Sequence, residues 1–208
     1  MDIGLINSAT STSEVKSLKN TAYTQDSQQK VDYSNYSIAD LRKIPYEEAK
    51  GNFDAIVNRS LELDTGDSSA KELAGLSAQL ASTKFSDNES INKSLYGTMQ
   101  NIPDGGAAMG TFLEINQNLR DYAYGKDVKA SFEVSNDAIH TDKGLTKSQI
   151  NSIDFSDFIS KMVSGFSSQL SDASKAQDEV KKQYQNIVDS YSTLQKSYEN
   201  EVRKPYYA

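Results

Sequence analysis

The chain has 208 residues, 37% of them hydrophobic and 25% charged, with 29 acidic against 22 basic side chains and a formal net charge of −7. That balance opposes nucleic-acid binding, which needs a concentrated basic surface, and no run approaches the roughly 18 apolar residues needed to cross a bilayer. The absence of cysteine excludes a disulfide framework and thiolate chemistry, and a hydrophobic share below the roughly 45–50% usual in globular chains, a benchmark that also counts glycine, leaves part of the sequence outside any packed core.

The opening Met1-Asp2-Ile3-Gly4-Leu5-Ile6-Asn7-Ser8 has no basic segment, and its apolar stretch is too short for a cleavable secretory signal. Between Ser8 and Ser37 the chain is dominated by Ser, Thr, Asn, Gln and Asp, as in Thr24-Gln25-Asp26-Ser27-Gln28-Gln29. Such a segment cannot bury enough apolar surface to offset the entropy of ordering it. Residues 1–36 are therefore expected to form a disordered polar arm, with a short helical patch around Val15, Leu18 and Ala22, and residues 37–208 a folded domain. A polar start rich in Ser, Thr, Asn and Gln, without a cleavable signal, resembles the export signals of flagellar and other type III secreted proteins. The resemblance covers this arm alone and implies a bacterial protein that is exported or associated with a flagellum, so the expected location is cytoplasmic or secreted without a cleaved signal peptide.

Pro45 suits the first turn of a helix, where its missing N–H costs nothing. Tyr46, Ala49, Phe53, Ile56, Ser60 and Leu63 then repeat at 3-4 spacing, a seam of about 18 residues that is the best candidate to lie along the C-terminal helix. Asp64-Thr65-Gly66-Asp67 stops it, and Ser68 or Ser69 can cap the next helix, which carries Leu73, Leu76 and Leu80 on one face. A helix over 88–100 places Ile91, Leu95 and Met99 together, and Ile102-Pro103-Asp104-Gly105-Gly106 breaks it. The following helix, over 107–124, shows Met109, Phe112, Ile115 or Asn116, Leu119 and Tyr122 or Ala123 at helical spacing. Its glycine-rich entrance has neither GxxxxGK[ST] nor GxGxxG and follows no strand, so it reads as a helix-helix loop and not a phosphate cradle.

From Val128 the period changes to two: Val128, Ala130, Phe132 and Val134 alternate with Lys129, Ser131 and Glu133. With Asn136-Asp137 as a tight turn, this predicts a small β-hairpin over 128–142. It carries His140, the sole histidine, between Asp137 and Asp142. A metal-dependent hydrolase built on His140 is the least supported function, because acid/base work needs positioned partners that the sequence does not supply. The Asp64–Glu72 and Asp137–Ile150 stretches lack the alternating ligands, central glycine and terminal glutamate of a calcium loop. No catalytic, cofactor-binding or metal-binding residues are assigned. Thr146 with Gln149 forms a capping-box pattern, and Asp154 can cap the long helix after it.

The last quarter holds the strongest pattern. Val163, Leu170, Gln177, Tyr184, Tyr191 and Tyr198 share one heptad register, and Ile159, Phe166, Ala173, Val180, Ile187 and Leu194 share the other. Gln177 is the one seam position that is neither apolar nor aromatic. Six heptads without a proline before Pro205 predict one continuous helix over 154–203, about 70 Å long. Its flanks, largely Ser, Gln and Ala with Met162 and Val188, carry Lys181 as their one charge. That suits burial in a helical bundle better than a charge-zipped dimer.

The expected fold class is mainly α: an elongated helical bundle with a long C-terminal helix and a small β-hairpin. The expected function is a non-enzymatic protein-interaction role, as an effector or appendage-associated factor exported by a flagellar or type III route, with a cytoplasmic adaptor, chaperone or regulator as the alternative. Phe132 and Val134 in the hairpin, and the aromatic pair Tyr206 and Tyr207 beyond Pro205, are the candidate partner-binding residues.

Overall fold

The computed structural model describes residues 31–126, 145–173 and 178–203, and among these residues the chain forms helices and no strand. In order they are α1 (Ile38–Leu41), α2 (Tyr46–Gly51), α3 (Phe53–Glu62), α4 (Asp67–Ser82), α5 (Glu89–Asn101), α6 (Gly105–Ala123), α7 (Lys147–Asn151), α8 (Phe155–Asp172) and α9 (Asp178–Arg203). The mainly helical class expected from the sequence holds. The hairpin expected over 128–142 and the arm over 1–30 lie outside the described residues. Tyr33, only 4% exposed, already belongs to the core with Val31 and Tyr36 packed beside it, so the packed chain starts ahead of the expected boundary at Ser37.

The C-terminal quarter is a pair of helices, not the one continuous helix expected. The Phe155 and Tyr198 ring centroids are 5.1 Å apart, whereas 43 residues of unbroken helix would separate them by about 65 Å. Phe158 and Phe166 both meet Tyr191, at 6.1 and 5.5 Å. These pairings run in opposite directions along the sequence, so α8 and α9 are antiparallel and the heptad seam closes largely on itself. α8 ends at Asp172 and α9 begins at Asp178, and the seam is weakest in that stretch of the sequence, at Ala173 and Gln177. A 3-4 repeat has the same signature in a straight helix and in two helices folded together, so periodicity alone does not reveal the turn.

Helices α4 and α5 form the middle of the structure and are covered on two sides. On one side Ala78, Ile91, Leu95 and Met99 join Ile115 and Leu119 of α6, Phe155, Phe158, Ile159, Met162 and Phe166 of α8, and Tyr191 and Leu194 of α9. On the other, Leu76, Leu80 and Tyr96 pack with Tyr33, Leu41, Ile44, Tyr46, Ala49 and Ile56. The seam over residues 46–63 therefore packs against α4 and α5, where it had been expected along the C-terminal helix. It is also broken at Asn52 (φ −118°, ψ 26°), whose backbone N–H and side-chain amide both donate to Glu48 O and end α2. The place against α5 that the seam leaves free is taken by α9, whose Ser197 Oγ lies 3.6 Å from where a Cβ on Gly97 would be.

Covering α4 and α5 on both sides buries polar side chains, and nearly all find partners within reach. Ser82, Ser94 and Thr98 donate back to the carbonyls of Ala78, Ser90 and Ser94. Arg42 inserts its guanidinium under the C-terminus of α5 and donates to Met99 O, Ile102 O and Pro103 O at 3.1, 2.6 and 2.9 Å. Met99 O, in the last turn, has no partner inside the helix because Pro103 offers no N–H, and it belongs to the negative end of the helix dipole. Gln79 and Gln100 donate in turn to Arg42 O, and Tyr96 Oη to Ile44 O at 2.6 Å. The loop between α1 and α2 is thereby tied to the helices it crosses.

α4 and α6 cross at contact distance because two glycines meet there. A Cβ on Gly75 would stand 2.5 Å from Gly105 Cα, and a Cβ on Gly105 would stand 2.2 Å from Lys71 O. Gly110, in the middle of α6, has nothing within 4 Å of such a Cβ. Both Gly75 and Gly110 lie inside helices, so alanine at either position gains about 1 kcal/mol of helix propensity. At Gly75 the gain is opposed by a collision with backbone, and overpacking of that kind costs about 1–3 kcal/mol or more. Thermal melts should therefore show Gly75→Ala below and Gly110→Ala at or above the parent; equal shifts would mean the crossing is not this close.

Candidate partner-binding surface

α6 ends at Gly125 (φ 65°), where Gly125 N–H donates to Tyr122 O and Lys126 N–H to Asp121 O, the paired bonds of a glycine-terminated helix. The chain returns at Leu145, and Thr146 and Gln149 cap α7 reciprocally as the sequence predicts, although the helix they begin is a separate one of five residues. Asn151 then fastens α7 to the turn between α4 and α5. Its Oδ1 accepts from Ser86 Oγ at 2.6 Å and Asp87 N at 3.1 Å, and its Nδ2 donates to Asp87 Oδ2 at 2.7 Å. Asp154 starts α8 by accepting from Asp157 N at 3.0 Å.

These ends enclose a cleft of about 310 Å³ lined by Tyr122, Ala123 and Tyr124 from the end of α6 and by Gln149, Ser152, Ile153 and Asp154 from α7 and the start of α8. Beside it Tyr122 Oη donates to Asp157 Oδ2. Lys161 Nζ stands 2.9 Å from the same carboxylate and 5.1 Å from the centre of the Tyr122 ring. The Tyr122 hydrogen bond, and after it Lys161, holds the Asp157 carboxyl below its usual range. The same bond raises the Tyr122 hydroxyl to about 12. Near neutral pH the proton thus stays on the tyrosine and the aspartate stays ionised, which makes this pair a brace between α6 and α8.

Most polar atoms of the cleft are already committed. Gln149 Oε1 accepts from Thr146 N and Oγ1, and Ser152 Oγ donates to Gln149 O. Exposed around it are Ala123, Tyr124, Gln149, Ser152 and Asp154, with the Tyr124 ring 56% exposed on the rim. Among the described residues no group of three His, Asp or Glu side chains is placed to hold a metal ion. The arrangement is suited to contact with another surface.

The residues singled out from the sequence all lie outside the described residues: Phe132, Val134 and His140 within 127–144, and Tyr206 and Tyr207 within 204–208. The first three belong to the stretch of sequence between α6 and α7, both of which line the cleft. Sequence reasoning placed Tyr122 only on a helix face and missed the brace. Its available signals were the i,i+4 pair Asp157 and Lys161 and the glycine following Tyr124. The chain matches no known protein family, no curated protein and no solved structure.

In Tyr122→Phe the Asp157 carboxyl loses its main hydrogen bond, so its titration should move up toward the ordinary aspartate value. A carboxyl held low in the folded state stabilises the fold above its unfolded pKa and stops doing so as pH falls through the folded one. The variant should therefore lose less stability than the parent on acidification below about pH 4. Carbon-detected NMR titration and melts at pH 3 and pH 6 would check both effects.

Proposed function

We propose that this is a non-enzymatic interaction protein, exported by a flagellar or type III route as an effector or appendage-associated factor. The observation that carries the interaction reading is the exposed Tyr124 ring on the cleft between the end of α6 and the start of α8. Exposed tyrosine on a rigid support is a common contact residue, giving a large amphipathic area with few torsions to fix. Phe132 and Val134 extend the same surface in sequence and are proposed to meet the partner there, with Tyr206 and Tyr207 as a second anchor. The partner is a protein: the net charge of −7 disfavours nucleic acid, and none of the described helices is long and apolar enough to cross a membrane.

Support for the export route is the polar composition of the first 30 residues, which precede Tyr33, the first residue of the described core. Deleting residues 1–30 should leave the melting temperature within error while the protein disappears from the culture supernatant and remains in the pellet. A fall of several degrees would show that those residues belong to the core. Retention of the full-length protein in the pellet would favour a cytoplasmic adaptor.

A further inference from the structure

Glu114 lies on α6 one turn before Asn118. The Asn118 Nδ2 donates to Tyr191 Oη of α9 at 2.9 Å and also reaches Glu114 Oε1 at 3.3 Å. Tyr191 is enclosed, with its ring stacked on Phe166 and edge-on to Phe158. One amide is thus shared between the phenol of α9 and a carboxyl of α6. Among the described residues no cation acts on that carboxyl. α9 presents Tyr191. On α6, Arg120 donates to Gln117 Oε1 and acts on no carboxylate there. On α8, Asp157 and Lys161 pair with each other and with Tyr122. Among the described residues of α4 and α5, no lysine or arginine acts on Glu114 either.

Glu114 is partly buried, and a carboxylate there would have one long amide bond in place of part of its water shell, so burial favours the neutral acid and pushes the Glu114 carboxyl up to about 7. We propose that Glu114, Asn118 and Tyr191 form a pH-sensitive latch between α6 and α9, closed while Glu114 is protonated and loosened when it ionises. The neutral acid makes little demand on the Asn118 amide, which stays with Tyr191. The carboxylate draws that amide and water toward itself, and the α8–α9 pair gives up its polar tie to α6. Because the folded pKa lies above the unfolded one, the stabilisation is fully present below the ordinary glutamate value and is lost as pH rises to about 7. The effect has the opposite sign to that of Asp157.

The full-length protein supplies the test in two measurements. In the unsubstituted protein, the Glu114 side-chain carboxyl carbon followed by NMR should titrate with a midpoint between about 6 and 8, and a midpoint below about 5 would overturn the proposal. Native-state hydrogen exchange of the α9 amides from Ile187 to Leu194, corrected for intrinsic rates, should lose about tenfold protection between pH 5.5 and 8. Glu114→Gln, which keeps the shape and removes the charge, should hold the acid-level protection throughout. The same pH dependence in Glu114→Gln would overturn the latch. If that variant does not fold, the NMR midpoint still decides.

Discussion

Tyr191 sits between Phe158 and Phe166, and the rest of the structure takes its arrangement from that contact. The stacked pair, with centroids 5.5 Å apart and planes at 21°, and the edge-on pair at 73° each contribute about 0.5–1.5 kcal/mol beyond the area they bury. They also fix direction: with Phe155 on Tyr198, they align α8 against α9 in antiparallel register. Once α9 runs back along α8, its other side lies against α5, and Tyr191 can present its hydroxyl to Asn118. Tyr122 of α6 packs edge-on against Phe158 and bonds to Asp157, so the end of α6 is held by the same cluster.

The second half of the core depends on α4 and α5 being covered on both sides. Helices so enclosed must bury their polar positions, and the sequence supplies short hydroxyls that bond back to the helix they sit on. Arg42 does more, since it neutralises the C-terminus of α5 while its own carbonyl accepts from Gln79 and Gln100. The α4–α5 turn then holds α7 through Asn151. That leaves the cleft on a firm base, with its walls set by capped helix ends.

Where helices begin and end was largely legible in the residues. Asn88, Asp104, Thr146 and Asp154 cap as their types suggest, and Ile91, Leu95 and Met99 are buried as their spacing requires. The cap expected at Ser68 or Ser69 is instead Gly66 at φ 94°, with Ser69 buried and bonded to Gly66 O. What the residues did not reveal was which seam meets which. The 3-4 repeat specifies a face, and a face has no address, so the early seam's partner and the reversal inside the late one were both beyond it. The partly buried acid was equally hidden, because Glu114 stands in a helix as an ordinary polar residue until Asn118 and Tyr191 are placed around it. The cleft is a property of three helix ends, two of them separated in sequence by the segment 127–144.

The cleft is a surface built from helix ends, where the exposed Tyr124 ring stands among exposed polar side chains. It depends on α8 starting beside the end of α6, and therefore on the antiparallel closure of α8 and α9. Pulsed electron-spin measurement between labels at the exposed positions Ser156 and Asn200 tests that closure directly. The account predicts a single separation below about 25 Å. A distance near 65 Å, as one unbroken helix would give, would contradict it.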